Sequence, residues 1–145
     1  MKSILIKMED YVKESPAGAE GVKISLRLSP YDVPREVKGE CDDKTGIFTI
    51  KFAYLDEEEA LPKPLTDKVT MNVGRYSGKI LGFQIHTAKY LNLQEISLEL
   101  EDEIQEIAKS VNKMSDKRPY NQRENYRVVG AVLQNNLSSL SHAAA

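Results

Sequence analysis

VTMNVGRYSGKILGFQIHTA, residues Val69–Ala88, has the pattern of two strands joined by a short turn. Apolar and polar residues alternate along both arms, and a glycine lies in the segment between them. Alternation with a period of two indicates paired strands that bury one face. The stretch therefore predicts an antiparallel hairpin of Val69–Gly74 with Ile80–His86, and it contains no obvious reactive group.

Three segments that precede this hairpin in the chain are also predicted to be strands. They are Ile47–Tyr54, Arg35–Cys41 and Val22–Leu28. Asp42–Gly46 has the composition of a turn and would join the first two segments into a second hairpin. The sequence thus predicts a sheet of about five strands.

Two segments near these strands are harder to assign. Asp56–Asp67 carries four consecutive acidic residues and two prolines, so it is predicted to be a loop. Ser3–Val12 fits a strand by its alternation and a helix by its three- and four-residue spacing, and both alternatives stay open.

The C-terminal part of the chain has helical spacing. Ile104, Ile107, Val111 and Met114 lie three or four residues apart, which predicts one amphipathic helix. Ile96–Leu100 is either a strand or the beginning of that helix. A second helix is predicted over Asn121–Leu140, although Gly130 opposes helix formation within it.

Strands come first in the chain and helices last. That order predicts an α+β fold, an antiparallel sheet followed by two C-terminal helices. At 145 residues the chain is expected to form a single domain over residues 1–140, with a frayed tail at 141–145.

Composition narrows the functional classes. No run of apolar residues is long enough to cross a membrane, and the N-terminus lacks the pattern of a signal peptide. Cys41 is the single cysteine, which excludes an internal disulfide or a cysteine-based metal cage. A cytoplasmic protein is expected. The net charge of −2 is uneven, because residues 1–112 are acidic and residues 113–145 are basic.

Residues 40–91 also carry a motif. Cys41–Phe52 and Gly78–Ala88 resemble the two hairpin segments of a widespread family of small prokaryotic domains of unknown function. In that family an acidic turn stands where this chain has Gly74–Ser77, and a glutamate stands where it has Gln84. The resemblance implies a β-hairpin and an intracellular prokaryotic protein, and it brings no catalytic residue.

Few residues have the types that catalysis or metal binding requires. The histidines are His86, at the end of a predicted strand, and His142, in the expected tail. Acidic clusters occur at 40–43, 56–59 and 99–103, but none has the spacing of a calcium-binding loop. We therefore expect no catalytic, cofactor-binding or metal-binding residue. A small metal-dependent hydrolase is the alternative that these histidines and clusters would support.

Two further hypotheses concern partners. The segment from residue 113 to 127 interleaves basic residues with tyrosines, as nucleic-acid-binding proteins do. Its candidate contacts are Lys117, Arg118, Arg123 and Arg127.

The apolar stripe of the last helix is a candidate interface with another chain, unless it covers the sheet of its own chain. Its residues are Tyr126, Val129, Leu133 and Leu137. The sequence thus favours a non-catalytic module that forms a homodimer or binds a protein partner. The alternative is an accessory protein that binds nucleic acid.

Overall fold

The computed structural model describes residues 2–7, 31–42, 44–86 and 93–142. Within these residues the chain forms a sheet and, after it, three helices. The strands are β1 (Lys2–Lys7), β2 (Glu36–Asp42), β3 (Ile47–Ala53), β4 (Ala60–Pro64), β5 (Val69–Gly74) and β6 (Ile80–His86). The helices are α1 (Leu93–Ser115), α2 (Tyr120–Asn135) and α3 (Leu137–Ser141).

All neighbouring strands are antiparallel, in the order β1-β2-β3-β6-β5-β4. The α+β class, the hairpin β5–β6 and the hairpin β2–β3 are as predicted. The described sheet has six strands rather than five, because β1 and β4 join it. β1 settles the first part of the ambiguous segment as a strand, and the predicted strand Val22–Leu28 lies outside the described residues.

The prediction of a loop over Asp56–Asp67 is wrong for β4, which pairs with β5 at the edge of the sheet. Pro62 and Pro64 lack the N–H group that a central strand needs, and together with the acidic run they favoured a loop. An edge strand needs a partner on one side alone, so both prolines are tolerated there. The same missing N–H groups make β4 a poor template for a further strand.

Side chains from one face of the sheet form the core with the helices. Gly39, Ile50, Phe83 and Met71 are aligned across four strands on this inner face. Buried residues of α1 and α2 pack against it, among them Leu100, Ile104, Ile107, Val111, Val129, Val132 and Leu133. Residues 96–100, left open between strand and helix, belong to α1. Among the described residues, none of the helices has the length and apolarity needed to cross a bilayer.

The prediction of one helix over Asn121–Leu140 is wrong at Asn136, where the backbone leaves helical geometry (φ −124°, ψ 23°). The Asn136 side chain donates a hydrogen bond to the Val132 carbonyl (2.7 Å), and α3 begins at the next residue. The break turns the end of the chain toward the sheet, so that Leu140 is fully buried near Gly39. Ser141, expected in the frayed tail, is buried in α3.

Candidate functional site

A buried lysine lies at one end of the sheet, immediately before β6. Lys79 is 3% exposed, and its ammonium donates hydrogen bonds to Asp56 Oδ1 (2.5 Å) and to the carbonyl oxygen of Tyr31 (2.9 Å). The same ammonium lies 4.5 Å from the centre of the Tyr54 ring and 4.0 Å from the Glu58 carboxylate. A charged group out of water needs such partners, because desolvation is otherwise costly. Lys79 therefore joins three segments of the chain that are distant in sequence.

Glu58 holds the turn between β5 and β6. Its carboxylate accepts hydrogen bonds from the backbone N–H groups of Tyr76 (2.8 Å) and Ser77 (2.9 Å) and from the Ser77 hydroxyl (2.6 Å). Burial raises the pKa of Glu58, but the donors of Ser77 and Tyr76, together with Lys79, outweigh burial and hold that pKa below its usual value. Glu58 is therefore a charged clamp on the turn.

The turn itself depends on glycine at two positions. Gly78 has a positive φ of 73°, which is strained for residues with a side chain. A Cβ at Gly74 would lie 2.3 Å from the Glu58 carboxyl carbon, so a side chain there would displace the clamp. The sequence RYSGK between the two strands is thus shaped to receive a carboxylate from the preceding loop.

Asn125 of α2 connects the helix layer to this network. Its amide nitrogen donates to the Tyr54 hydroxyl (3.0 Å) and to the carbonyl oxygen of Asp32 (2.9 Å), and its amide oxygen accepts from the N–H of Ile80 (2.9 Å). The Tyr54 hydroxyl in turn donates to the Ile80 carbonyl oxygen (2.5 Å). Burial raises the pKa of Tyr54 far above its usual value, so the phenol remains a neutral donor.

Two carboxyl groups at the border of this network have opposite pKa shifts. Burial raises the pKa of Asp32, although the nearby charge of Lys79 partly offsets it. The hydrogen bond from Lys79 lowers the pKa of Asp56, whose side chain is 46% exposed. Asp56 is thus the nearest counter-ion of the ammonium, and Glu58 is the more buried one. We call the network of Lys79, Asp56, Glu58, Tyr54 and Asn125 the clasp, because its hydrogen bonds join distant segments of the chain.

Three tyrosines project from this end of the molecule, and we call them the tyrosine face. Tyr76 is 84% exposed, Tyr120 is 73% exposed and Tyr31 is 54% exposed. The backbone of Tyr31 is held by Lys79, and the backbone of Tyr76 is held by Glu58. The clasp therefore fixes the segments that carry two of the three exposed rings.

Tyr120, at the first position of α2, is brought to the same end by Gln122. The Gln122 amide nitrogen donates to the carbonyl oxygen of Ser77 (3.0 Å), which is the residue after Tyr76. Arg75 lies against the Tyr76 ring, 5.9 Å from its centre, and forms an ion pair with Glu59 (2.8 Å). The tyrosine face thus combines aromatic rings with an arginine.

The structure places the four basic residues proposed for nucleic-acid contact around the start of α2, with different surroundings. The guanidinium of Arg118 lies 5.3 Å from the centre of the buried Tyr126 ring, and its Nε donates to Gln122. Arg123 donates to the carbonyl oxygen of Arg118 (3.3 Å). Arg127 forms ion pairs with Asp116 (3.6 Å) and Glu124 (3.2 Å), and Lys117 is exposed. Three of the four are therefore engaged within the chain.

The residues proposed for an interface lie in the core of their own chain. Tyr126, Val129 and Leu133 are buried, and Leu137 is partly buried against the same core. Of the two alternatives left by the sequence, the helix covers the sheet of its own chain. Its apolar stripe is therefore occupied.

The histidines and acidic clusters do not form a catalytic or metal centre within the described residues. His86 is exposed at the end of β6, and the His142 ring lies 2.6 Å from the carbonyl oxygen of Ser138. In the described ranges no three histidine, cysteine or acidic side chains come together as metal ligands. The acidic run 56–59 mainly binds Lys79, Arg75 and the β5–β6 turn.

Sequence reasoning missed Lys79, Glu58 and Asn125, because the partners named above lie 18 to 93 residues away along the chain. The sequence does hint at the ion pair of Lys79 with Asp56, because a lysine directly precedes the apolar start of β6 and an acidic run precedes β4. Comparison with protein-family models, with curated proteins and with solved structures finds no significant match, so the resemblance of residues 40–91 to small prokaryotic domains stays a prediction.

Proposed function

We propose that this protein is a non-catalytic module that binds another protein through the tyrosine face. The observation that carries the proposal is that exposed aromatic rings stand on segments fixed by a buried polar clasp. Segments whose backbone is already fixed lose less entropy on binding, so such a surface favours association. The clasp holds the backbone of Tyr31 and of Tyr76 from inside the fold.

The chemistry of this surface suits a protein partner. Tyrosine and arginine are enriched at the energetic centres of protein interfaces, because they bury a large area while keeping a polar group. Here Tyr76 carries Arg75 against its ring, and Glu59 holds the arginine in place. A partner surface with an apolar pocket and hydrogen-bond acceptors would complement these groups.

Nucleic acid is the weaker alternative at the same end of the molecule. Arg75 lies there, and Arg118 donates to Gln122, which contacts Ser77, but the acidic run Asp56–Glu59 lies there too. Phosphate binding depends on uncompensated positive charge, and Arg75 is paired with Glu59. The mixed charge therefore favours a protein.

The test compares the wild type with a variant whose tyrosine face is reduced. In the double variant Tyr76→Ser/Tyr120→Ser, both side chains are exposed in the wild type, so the fold is expected to persist. The matched control is Leu98→Ser, which changes a side chain on α1 that is 60% exposed. Proteins captured from the source extract by all three baits are compared, and a protein lost with the double variant alone is then purified.

Calorimetry with that purified partner decides the proposal. We expect the dissociation constant to rise about thirtyfold or more for the double variant, because hot-spot residues contribute at least about 2 kcal/mol, and to stay unchanged for the control. Equal affinity for the three proteins would overturn the proposal. Salt-sensitive binding of single-stranded DNA or RNA that the double variant loses would favour the nucleic-acid alternative instead.

A further inference from the structure

One row of residues along α1 has a charge pattern that is complementary to itself. The row consists of positions 99, 103, 106, 110, 113 and 117, which read Glu, Glu, Glu, Ser, Lys and Lys. The spacing of four, three, four, three and four residues keeps them on one stripe of the helix. Lys117 follows the last turn of α1 and stays in line with it, since its N–H donates to the Met114 carbonyl oxygen (3.0 Å).

This spacing is the same from either end of the row, and its middle is level with Ala108. Two such helices placed antiparallel about a two-fold axis at that level would face each other in register. Glu103 would then lie opposite Lys113 of the second copy, and Glu99 would lie opposite Lys117 of the second copy. A two-fold axis creates every such pair twice, as in any symmetric dimer.

The row borders an open groove rather than the core. The groove runs between α1 and the segment that precedes β5. It has an acidic half beside Glu103 and a basic half beside Lys113, and Leu65 and Ser110 line both halves. At the basic end, Met114 lies between the exposed side chains of Lys113 and Lys117. The groove thus offers an apolar floor with two cations at one end.

Contacts within the chain leave the acidic half of the row negative. Lys68 lies 3.5 Å from Glu99 and 4.0 Å from Glu103, and Lys109 lies 3.6 Å from Glu106. Asp67 adds a further acid to the same groove. Lys113 and Lys117 form no ion pair among the described residues and are available to a partner.

We propose that the protein forms a two-fold symmetric homodimer in which the α1 rows of two copies pack antiparallel. Charge complementarity identifies the occupant of the groove as a second copy, because an antiparallel copy of the row places its lysines opposite the glutamates of the first. This inference rests on residues other than the tyrosine face and does not depend on the proposed function. Its failure would leave the proposed function untouched.

A charge-exchange experiment tests the facing pair directly. Lys113→Glu places two acids opposite each other at both copies of the pair, and Glu103→Lys places two cations there. Each variant alone is expected to raise the dimer dissociation constant at least about tenfold, because like charges in an interface are costly. Lys51→Glu makes the same change of charge at an exposed position on the outer face of β3, away from α1, and serves as the matched control.

Sedimentation equilibrium over a concentration series gives the mass of each sample. The wild type and Lys51→Glu are expected to approach twice 16.3 kDa, while the two row variants remain monomeric at the same concentration. An equimolar mixture of the two row variants is expected to regain the dimer, and so is the combined variant Lys113→Glu/Glu103→Lys. This rescue separates a broken interface from a misfolded chain.

Three results would overturn the proposal. They are a wild type that stays monomeric up to its solubility limit, a dimer that Lys51→Glu weakens as much as Lys113→Glu does, and a mixture that stays monomeric. High salt is expected to weaken the wild-type dimer, because exposed ion pairs are screened.

Discussion

Lys79 illustrates how a charged side chain is accommodated at a position that the fold buries. Its aliphatic stem lies inside, and its ammonium is held by a carboxylate, a carbonyl oxygen and an aromatic ring. The carboxylate of Asp56 is 46% exposed, so water screens that ion pair. The carbonyl of Tyr31 and the ring of Tyr54 therefore carry much of the stabilisation of the ammonium.

Lys79→Met tests this account, because methionine keeps most of the stem and removes the charge. We expect the free energy of unfolding, measured by urea titration, to fall by about 1.5–3 kcal/mol, as for a hydrogen-bonded charged group. Lys63→Met in the exposed strand β4 is the control and is expected to change stability by less than about 0.5 kcal/mol. Equal effects of the two substitutions would contradict a stabilising role for the Lys79 ammonium.

Glu58 makes stability depend on pH. Its pKa in the folded protein lies below the ordinary value of 4.5, so the folded state favours the carboxylate. The stabilisation is complete above the unfolded pKa and is lost as the pH falls through the folded pKa. Asp56, with its lowered pKa, acts in the same direction, whereas the raised pKa of Asp32 acts in the opposite one.

Glu58→Gln removes this dependence while keeping the shape of the side chain. At about pH 7 the variant is expected to be less stable than the wild type by about 1–2 kcal/mol. Between about pH 5 and about pH 3, urea titrations are expected to show a smaller loss of stability in the variant than in the wild type. Parallel pH profiles would show that Glu58 does not titrate as the geometry implies.

At the scale of elements, Gly82 and Gly130 both lie where neighbouring elements approach each other, but the space around them differs. Gly82 pairs β6 with β3, and a Cβ there would lie 2.3 Å from the backbone oxygen of Ile50, which has little freedom to move. Gly130 lies where α2 passes α1, and a Cβ there would meet the Ala108 oxygen at 3.4 Å, an ordinary contact.

We therefore expect opposite outcomes from two chemically identical substitutions. Gly82→Ala should destabilise the protein by about 1–3 kcal/mol, as overpacking does. Gly130→Ala should be neutral or stabilising by up to about 1 kcal/mol, because alanine favours the helix. Thermal unfolding followed by circular dichroism distinguishes them, and a similar loss for both variants would contradict the distances.

At the scale of the whole molecule, the short helix α3 closes the fold. Leu140 is fully buried, and its side chain lies near Gly39 on the inner face of β2. The last helix of the chain thus packs against one of its first strands. This contact joins distant parts of the sequence and stabilises the sheet near β1.

Leu140→Ala is expected to lower the free energy of unfolding by about 2–5 kcal/mol, through lost burial and the cavity that remains. Leu98→Ala, at a side chain that is 60% exposed, is expected to cost less than about 0.5 kcal/mol. Denaturant unfolding compares the two variants. A small loss for Leu140→Ala would mean that α3 does not hold the core together.

The sequence predicts elements better than it predicts their surroundings. Alternation located β2, β3, β5 and β6, and helical spacing located the C-terminal half of α1 and most of α2. It failed at β4, where prolines are tolerated because the strand lies at an edge, and at Asn136, where a single side chain interrupts a continuous apolar stripe. In both cases the local composition was interpreted correctly, but the sequence does not show where the segment lies in the sheet or in the core.

By itself the sequence determined the α+β class and the buried face of each strand it located, because periodicity records which side of an element avoids water. Tertiary structure alone decided the partners of Lys79, the role of Glu58 and the burial of the C-terminal stripe. Those outcomes depend on which distant segments the topology brings into contact. The contacts between Glu58 and Ser77 and between Asn125 and Ile80 arise only when the sheet and helices are assembled.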